Sequence, residues 1–187
     1  MDDESLARLA AVTRLAAVPE ADGRGRAALA AAAARARDEP GSCAVVLVEG
    51  LSDQAALETL AARRGRDLRG EGVFVVPMGG ATNIGHFLGL FGPRGFGFFV
   101  CVADLEDELI RALGVRRVEE LIEAQGELGP FQTFTRQPAQ RNRPREQQLR
   151  RFLGTRSGRK IHYGQVLAAA LDLTRVPGPL AGVLSRV

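Results

Sequence analysis

Only two cysteines, Cys43 and Cys101, occur among the 187 residues, far apart and in or beside apolar runs. Neither belongs to a C-x-x-C pair, which excludes the usual zinc and thiol-redox spacings and leaves buried free thiols in a reducing cytosol as the expectation. Lysine is rarer still: of 25 basic residues only Lys160 is a lysine, the rest being arginine. Arginine dominance of this kind more often reflects coding bias than selection for guanidinium, so the one ammonium stands out. No apolar stretch approaches the roughly 20 residues that span a bilayer, and the acidic opening M-D-D-E-S lacks the basic region of a signal peptide. The expectation is a cytoplasmic protein with no membrane contact. Neither G-x-G-x-x-G nor G-x-x-x-x-G-K-[ST] occurs, so the chain has no dinucleotide fingerprint and no P-loop.

What is present reads as an α/β domain. The chain is 45% hydrophobic and 25% charged, enough to bury a real core in one globular domain with a small appendage. Ala44 to Val48 is a short aliphatic run suited to a strand covered on both faces, as in a parallel sheet. Glu49 follows at its carboxyl end. Gly50 permits a tight exit, and Ser52 or Asp53 is placed to cap a helix over about Ser52 to Arg64. Ligands of open α/β sheets bind beyond the carboxyl ends of the strands, where Glu49 and Asp53 fall. Two carboxylates there repel unless a cation or a proton lies between them.

Residues 1–40 are alanine-rich and predict two helices, about Asp3 to Val18 and Arg26 to Asp38, packed as an appendage or an interaction arm. The boundary with the main domain, residues 41–187, falls near Pro40-Gly41. Within that domain Val73 to Pro77 is a second strand, completing a right-handed βαβ unit. Pro77-Met78-Gly79-Gly80 ends it, and Ala81 to Phe91 reads as a helix. Phe96 to Val102, F-G-F-F-V-C-V, predicts a third strand. From Val115 onward the pattern is helical and basic, with helices over Val118 to Gln125, Pro144 to Gly154, Ile161 to Leu171 and Pro179 to Val187.

The third apolar run ends in A-D-L-E-D-E, four carboxylates in five positions from Asp104 to Glu108. Asp104 as the cap of a helix over Leu105 to Leu113, with the other acids at its positive end, is one account. Beside Glu49 and Asp53, a cluster this dense also suits a hard cation such as Mg²⁺ or Mn²⁺. Arg136 to Lys160 holds nine basic residues against the single acid Glu146, so with a net charge of +3 the rest of the chain is net negative. Segregation of this kind fits a protein that holds a phosphate backbone with arginine while chemistry proceeds at an acidic site. His86 and His162 have no partner at ligand spacing. Ser52, Ser157 and Cys101 lack a nucleophile signature, and Tyr163 reads as an ordinary core or surface tyrosine.

V-V-L-V-E-G-L-S-D followed by the second strand resembles the opening of a TOPRIM domain, the metal-binding fold of topoisomerases, primases and the OLD (overcoming lysogenization defect) nucleases. V-P-M-G-G-A-T-N-I-G-H-F, F-F-V-C-V-A-D-L-E-D-E-L-I-R-A-L-G and L-R-R-F-L-G-T-R-S-G-R-K are similar to the stand-alone actinobacterial proteins named as OLD-type ATP-dependent endonucleases. The resemblance runs from Ser42 to the C-terminus. It implies a Rossmann-like TOPRIM fold with a central, mostly parallel sheet and a basic helical part over about residues 115–187. It makes Glu49 a metal ligand or general acid/base and Asp53 the aspartate that follows it. Asp104, Glu106 and Asp107 become the later acidic motif that helps hold a second metal, and Lys160 the lysine that neutralises charge on a transferring phosphate. Two ions, Mg²⁺ or Mn²⁺, would then polarise a phosphodiester and activate water. DNA is the implied partner, with Arg141, Arg143, Arg145, Arg150, Arg151, Arg156 and Arg159 as its binding surface, and a homodimer fits the same picture.

Two departures matter. The D-x-D motif that TOPRIM domains carry at the end of a third strand is absent from the whole chain. Either Asp104-x-Glu106 takes its role, or the strand and its ligands have been lost and the chain is a non-catalytic nucleic-acid-binding or assembly module. OLD-type nucleases also join TOPRIM to an ATPase; without a P-loop here, ATP dependence requires a separate ATPase subunit. A nucleotidyl-transfer or primase-like activity shares the site and forms a third expectation.

Overall fold

The computed structural model describes residues 44–85 and 99–187. The two expected helices before Pro40, Cys43, His86, the end of the Ala81 to Phe91 helix and the start of the third strand lie outside the described residues.

The βαβ unit forms where the sequence places it. Strand β1 (Ala44–Val48) leads through helix α1 (Leu51–Arg63) to strand β2 (Val73–Pro77). The strands pair in parallel, Ala44 opposite Val73 and Val48 opposite Pro77. All five residues of β2 are buried, as the unbroken apolar run requires. Helix α1 buries Ala55, Ala56, Leu57, Leu60 and Ala61, a mostly small-residue face that lets neighbours approach closely. Its N-cap is Gly50, in place of the expected Ser52 or Asp53. Asp53 acts from inside the first turn, accepting a hydrogen bond from the Gly50 N–H at 2.9 Å.

The sheet has two strands among the described residues, and the expected third strand is corrected over residues 99–102, which are not strand. A strand needs a neighbour for its backbone, and this segment finds other partners. The Val102 N–H donates to Glu108 Oε1 at 2.9 Å, while the Phe99 ring lies against Gly182. Val100 and Val102 stay 81% and 82% exposed. After β2 the expected helix opens with a short 3-10 turn, Ala81–Asn83, which leads into helical residues 84–85.

Seven helices complete the described fold: α2 (Leu105–Leu113), α3 (Val115–Ala124), α4 (Leu128–Thr135), α5 (Pro138–Arg141), α6 (Arg145–Leu153), α7 (Ser157–Ala170) and α8 (Gly178–Arg186). Gly114, at φ +80°, ends α2 and opens α3, so the latter starts three residues before the expected Val118. Helices α4 and α5 fill a stretch that the sequence marked only as basic and helical. Phe131, Phe134 and Phe152 bring α4 and α6 together, with ring centroids 5.0 and 5.7 Å apart.

Helix α7 packs along α1 and sets the site. A β-carbon added at Gly164 would lie 2.7 Å from the Ser52 carbonyl oxygen, so glycine is what permits the contact. Arg63 secures the far end, its guanidinium donating to the carbonyls of Ala168 at 3.0 Å and Leu171 at 2.7 Å. Lys160 precedes Gly164 by one helical turn and shares its face, which carries the ammonium to the start of α1.

Candidate active site

The carboxyl edge of the sheet is built by backbone before any side chain acts. The Met78 N–H donates to the Val48 carbonyl at 2.8 Å and the Gly80 N–H to the Glu49 carbonyl at 3.0 Å. The turn between them uses Gly79 at φ +76° and Gly80 at φ +132°, conformations that L side chains rarely adopt. The Glu49 backbone is thereby fixed while its side chain stays exposed.

Asp53 lies one helical turn further on, partly buried, and burial pushes its carboxyl pKa up. The Gly50 N–H and the Lys160 charge pull it down, and Glu49 raises it further. Glu106 is 4% exposed. Desolvation raises its pKa as well, against the opposing pull of Lys160. Lys160 Nζ stands 3.4 Å from Glu106 Oε2. Burial works against the ammonium, yet Glu106, Asp53 and Asp104 outweigh it and hold the Lys160 pKa above the ordinary lysine value. Cys101 faces the same acids. Burial first, then Glu108, Asp53, Asp104 and Glu106, push its thiol up to about 11. This thiol is a protonated neighbour of the site rather than a nucleophile.

The acidic run after Val102 divides by role. Asp104 is the N-cap of α2, one oxygen accepting the Asp107 N–H at 2.9 Å and the other the Arg150 guanidinium at 2.7 Å. Asp107 pairs with Arg111 at 2.9 Å, and Glu108 holds Arg111 and the Val102 N–H. Glu106 turns to Lys160, and its second oxygen, Oε1, is buried without a hydrogen-bond partner.

The basic stretch divides in the same way. Arg145 pairs with Glu119 and stacks on Phe131, 4.5 Å from its centroid. Arg159 pairs with Glu127 and lies 4.2 Å over Phe152. Together with Arg150 these side chains tie helices to one another. Arg136, Arg141, Arg143, Arg151 and Arg156 are exposed and form no ion pair with an acid among the described residues. The sequence reading counts Arg136 in the basic stretch without placing it on the expected binding surface, and it does not foresee the Asp104–Arg150 pair. Nothing in the spacing of residues 104 and 150 signals that contact.

All-carboxylate donors suit a hard divalent ion, and Glu106 Oε1 offers a buried oxygen for one. The arrangement nevertheless does not fit a bound ion: among the described residues no three His, Cys, Asp or Glu side chains form a group able to hold one. The charge beside Glu106 is supplied by Lys160. No helix among the described residues is long and apolar enough to cross a membrane.

No curated protein and no solved structure matches the chain. Residues 42–105 match the family model for the overcoming lysogenization defect protein-like TOPRIM domain. Domains of this family suggest nuclease or nucleotidyl-transferase chemistry with divalent metals. The matched span, about a third of the chain, holds β1 with Glu49, the Asp53 turn, the paired β2 and Asp104 at the start of α2, and over that span the chain is similar to the OLD-like TOPRIM domain.

Proposed function

We propose that the chain is the nuclease part of an OLD-type system, hydrolysing phosphodiester bonds in DNA with Mg²⁺ or Mn²⁺ as cofactor and a separate ATPase supplying any ATP dependence. The observation that carries this reading is the convergence of Lys160, from α7, with Glu106 and Asp53 at the sheet edge that presents Glu49. Exposed at that edge, Glu49 is free to take a proton from an attacking water. Lys160 is placed to neutralise charge developing on the phosphate. The exposed arginines of α5, α6 and the turn before α7 would hold the backbone electrostatically.

A second reading is favoured by a specific observation, the lack of a three-ligand metal group among the described residues. In it the chain is a non-catalytic nucleic-acid-binding or assembly module. Cleavage of supercoiled and linear DNA by purified protein in Mg²⁺ or Mn²⁺, against EDTA and Glu49→Gln, separates the two. Metal-dependent cutting that falls at least about a hundredfold in Glu49→Gln, the usual scale for a lost acid/base group, supports the nuclease. Salt-sensitive DNA binding without cutting by the wild type supports the module.

A further inference from the structure

We propose that the cavity between the turn joining α3 to α4 and the start of α7 is a phosphate pocket, and that it takes the phosphate next to the one at Lys160 on a nucleic-acid strand. The inference rests on the reading of the chain as acting on DNA.

The cavity measures about 380 Å³ and is lined by Gln125, Glu127, Arg156, Gly158, Arg159 and His162. Two guanidinium groups against one carboxylate leave it net positive, and that carboxylate is already committed. The Arg159 guanidinium donates to both Glu127 oxygens, at 3.1, 3.0 and 2.7 Å, and these hydrogen bonds hold the Glu127 carboxyl below the ordinary glutamate value. Arg159 is fixed in turn by Thr155 Oγ1 and by the Phe152 ring. The pair is a neutral, rigid wall. Arg156, the second guanidinium, is exposed and pairs with no acid among the described residues. The His162 ring is held by Gln125, with Nε2 standing 2.8 Å from Oε1. With that oxygen accepting, the Gln125 amide N–H groups and His162 Nδ1 are left for a ligand. An uncommitted guanidinium, an amide donor and an imidazole around a positive cavity match an anion with several oxygens.

Position ties this cavity to the strand. The Lys160 N–H donates to the Arg156 carbonyl at 3.0 Å, so the two residues are one helical turn, about 6 Å, apart. An anion in the cavity and a phosphate at Lys160 are near enough to be neighbours on one backbone. Gly158 lines the cavity without a side chain, and a β-carbon added there would meet nothing within 4 Å, so the mouth is open.

The test is binding of a fluorescently labelled DNA of about 12 nucleotides, within the usual single-strand site size, prepared single-stranded and duplex, with and without a 5′-phosphate. Anisotropy in EDTA, which suppresses cutting, is read for the full chain as wild type, Arg156→Gln, Gly158→Leu and Arg141→Gln. A thermal scan of each verifies folding, and two pocket variants of different kind keep the result readable if one misfolds. Arg156→Gln removes the free guanidinium, and Gly158→Leu fills the mouth with no change in charge. Both are expected to weaken binding about tenfold, the scale of one lost charge-assisted hydrogen bond. Arg141→Gln, on the open surface of α5, is expected to cost no more than about threefold. A 5′-phosphate that strengthens binding to wild type but not to Arg156→Gln identifies a terminal phosphate as the occupant, while those pocket losses with both DNA forms bound equally identify a backbone phosphate. Wild-type affinity in Gly158→Leu, or the same small loss in Arg156→Gln as in Arg141→Gln, would overturn the pocket while leaving DNA binding by the arginine surface intact. No binding of any of these DNAs by wild type would overturn the pocket and the nucleic-acid reading together.

Discussion

At the scale of single residues, this molecule assigns different work to side chains of one type. Of the acids from Asp104 to Glu108, Asp104 caps a helix, Asp107 and Glu108 bind Arg111, and Glu106 is the one turned to Lys160. The sequence made the cluster visible but not this division, because four carboxylates in succession point in different directions around a helix turn. Glu127 shows how the basic side is consumed structurally. Hydrogen bonds from Arg159 are the main cause holding its carboxyl below the ordinary glutamate value. A carboxyl lowered on folding contributes stability that is present above its unfolded pKa and lost as pH falls through the folded value. Thermal unfolding followed from about pH 6 down to about pH 3 is therefore expected to show a steeper acid-side loss in wild type than in Glu127→Gln. Parallel curves for the two proteins would contradict that assignment.

At the scale of elements, what was legible is what local pattern determines. The strands at Ala44 and Val73 and the helix between them were readable because short aliphatic runs bounded by glycine leave few alternatives. The third strand failed because F-G-F-F-V-C-V is apolar enough for a strand, while strand formation depends on a neighbour that no local pattern reports. Helices α4 and α5 escaped because G-P-F-Q-T-F-T and P-A-Q-R carry little helical periodicity, and packing of Phe131 and Phe134 on Phe152 stabilises the first of them. The close approach of α7 to α1 was equally hidden, since a glycine within a helix reads as a weakness. Its packing role can be measured. Gly164→Ala forces a methyl against the Ser52 carbonyl and is expected to cost about 1–3 kcal/mol in chemical denaturation. Gly158→Ala, in the same helix with nothing within 4 Å of the added carbon, is expected to be stabilising by about 0.5–1 kcal/mol. Equal effects from the two substitutions would show that the interhelical contact is not tight.

At the scale of the whole molecule, the charge segregation read from the sequence persists in a thinner form. The basic stretch spends Arg145, Arg150 and Arg159 on ties between helices and Lys160 on Glu106, and leaves Arg136, Arg141, Arg143, Arg151 and Arg156 facing outward. The acidic side likewise narrows to Glu49, Asp53 and Glu106, brought together because α7 returns over the start of α1. Which members of each cluster face the site is a property of tertiary packing, while the location of the clusters is a property of sequence. The central claim is that Lys160 serves two ends, holding Glu106 at rest and meeting the phosphate in the reaction. The measurement that tests it most directly is DNA cleavage at saturating Mn²⁺ by Lys160→Met beside wild type. The account predicts a slower cut in the variant, by at least about a hundredfold, the scale of a lost transition-state contact. Undiminished cleavage in Lys160→Met would contradict it.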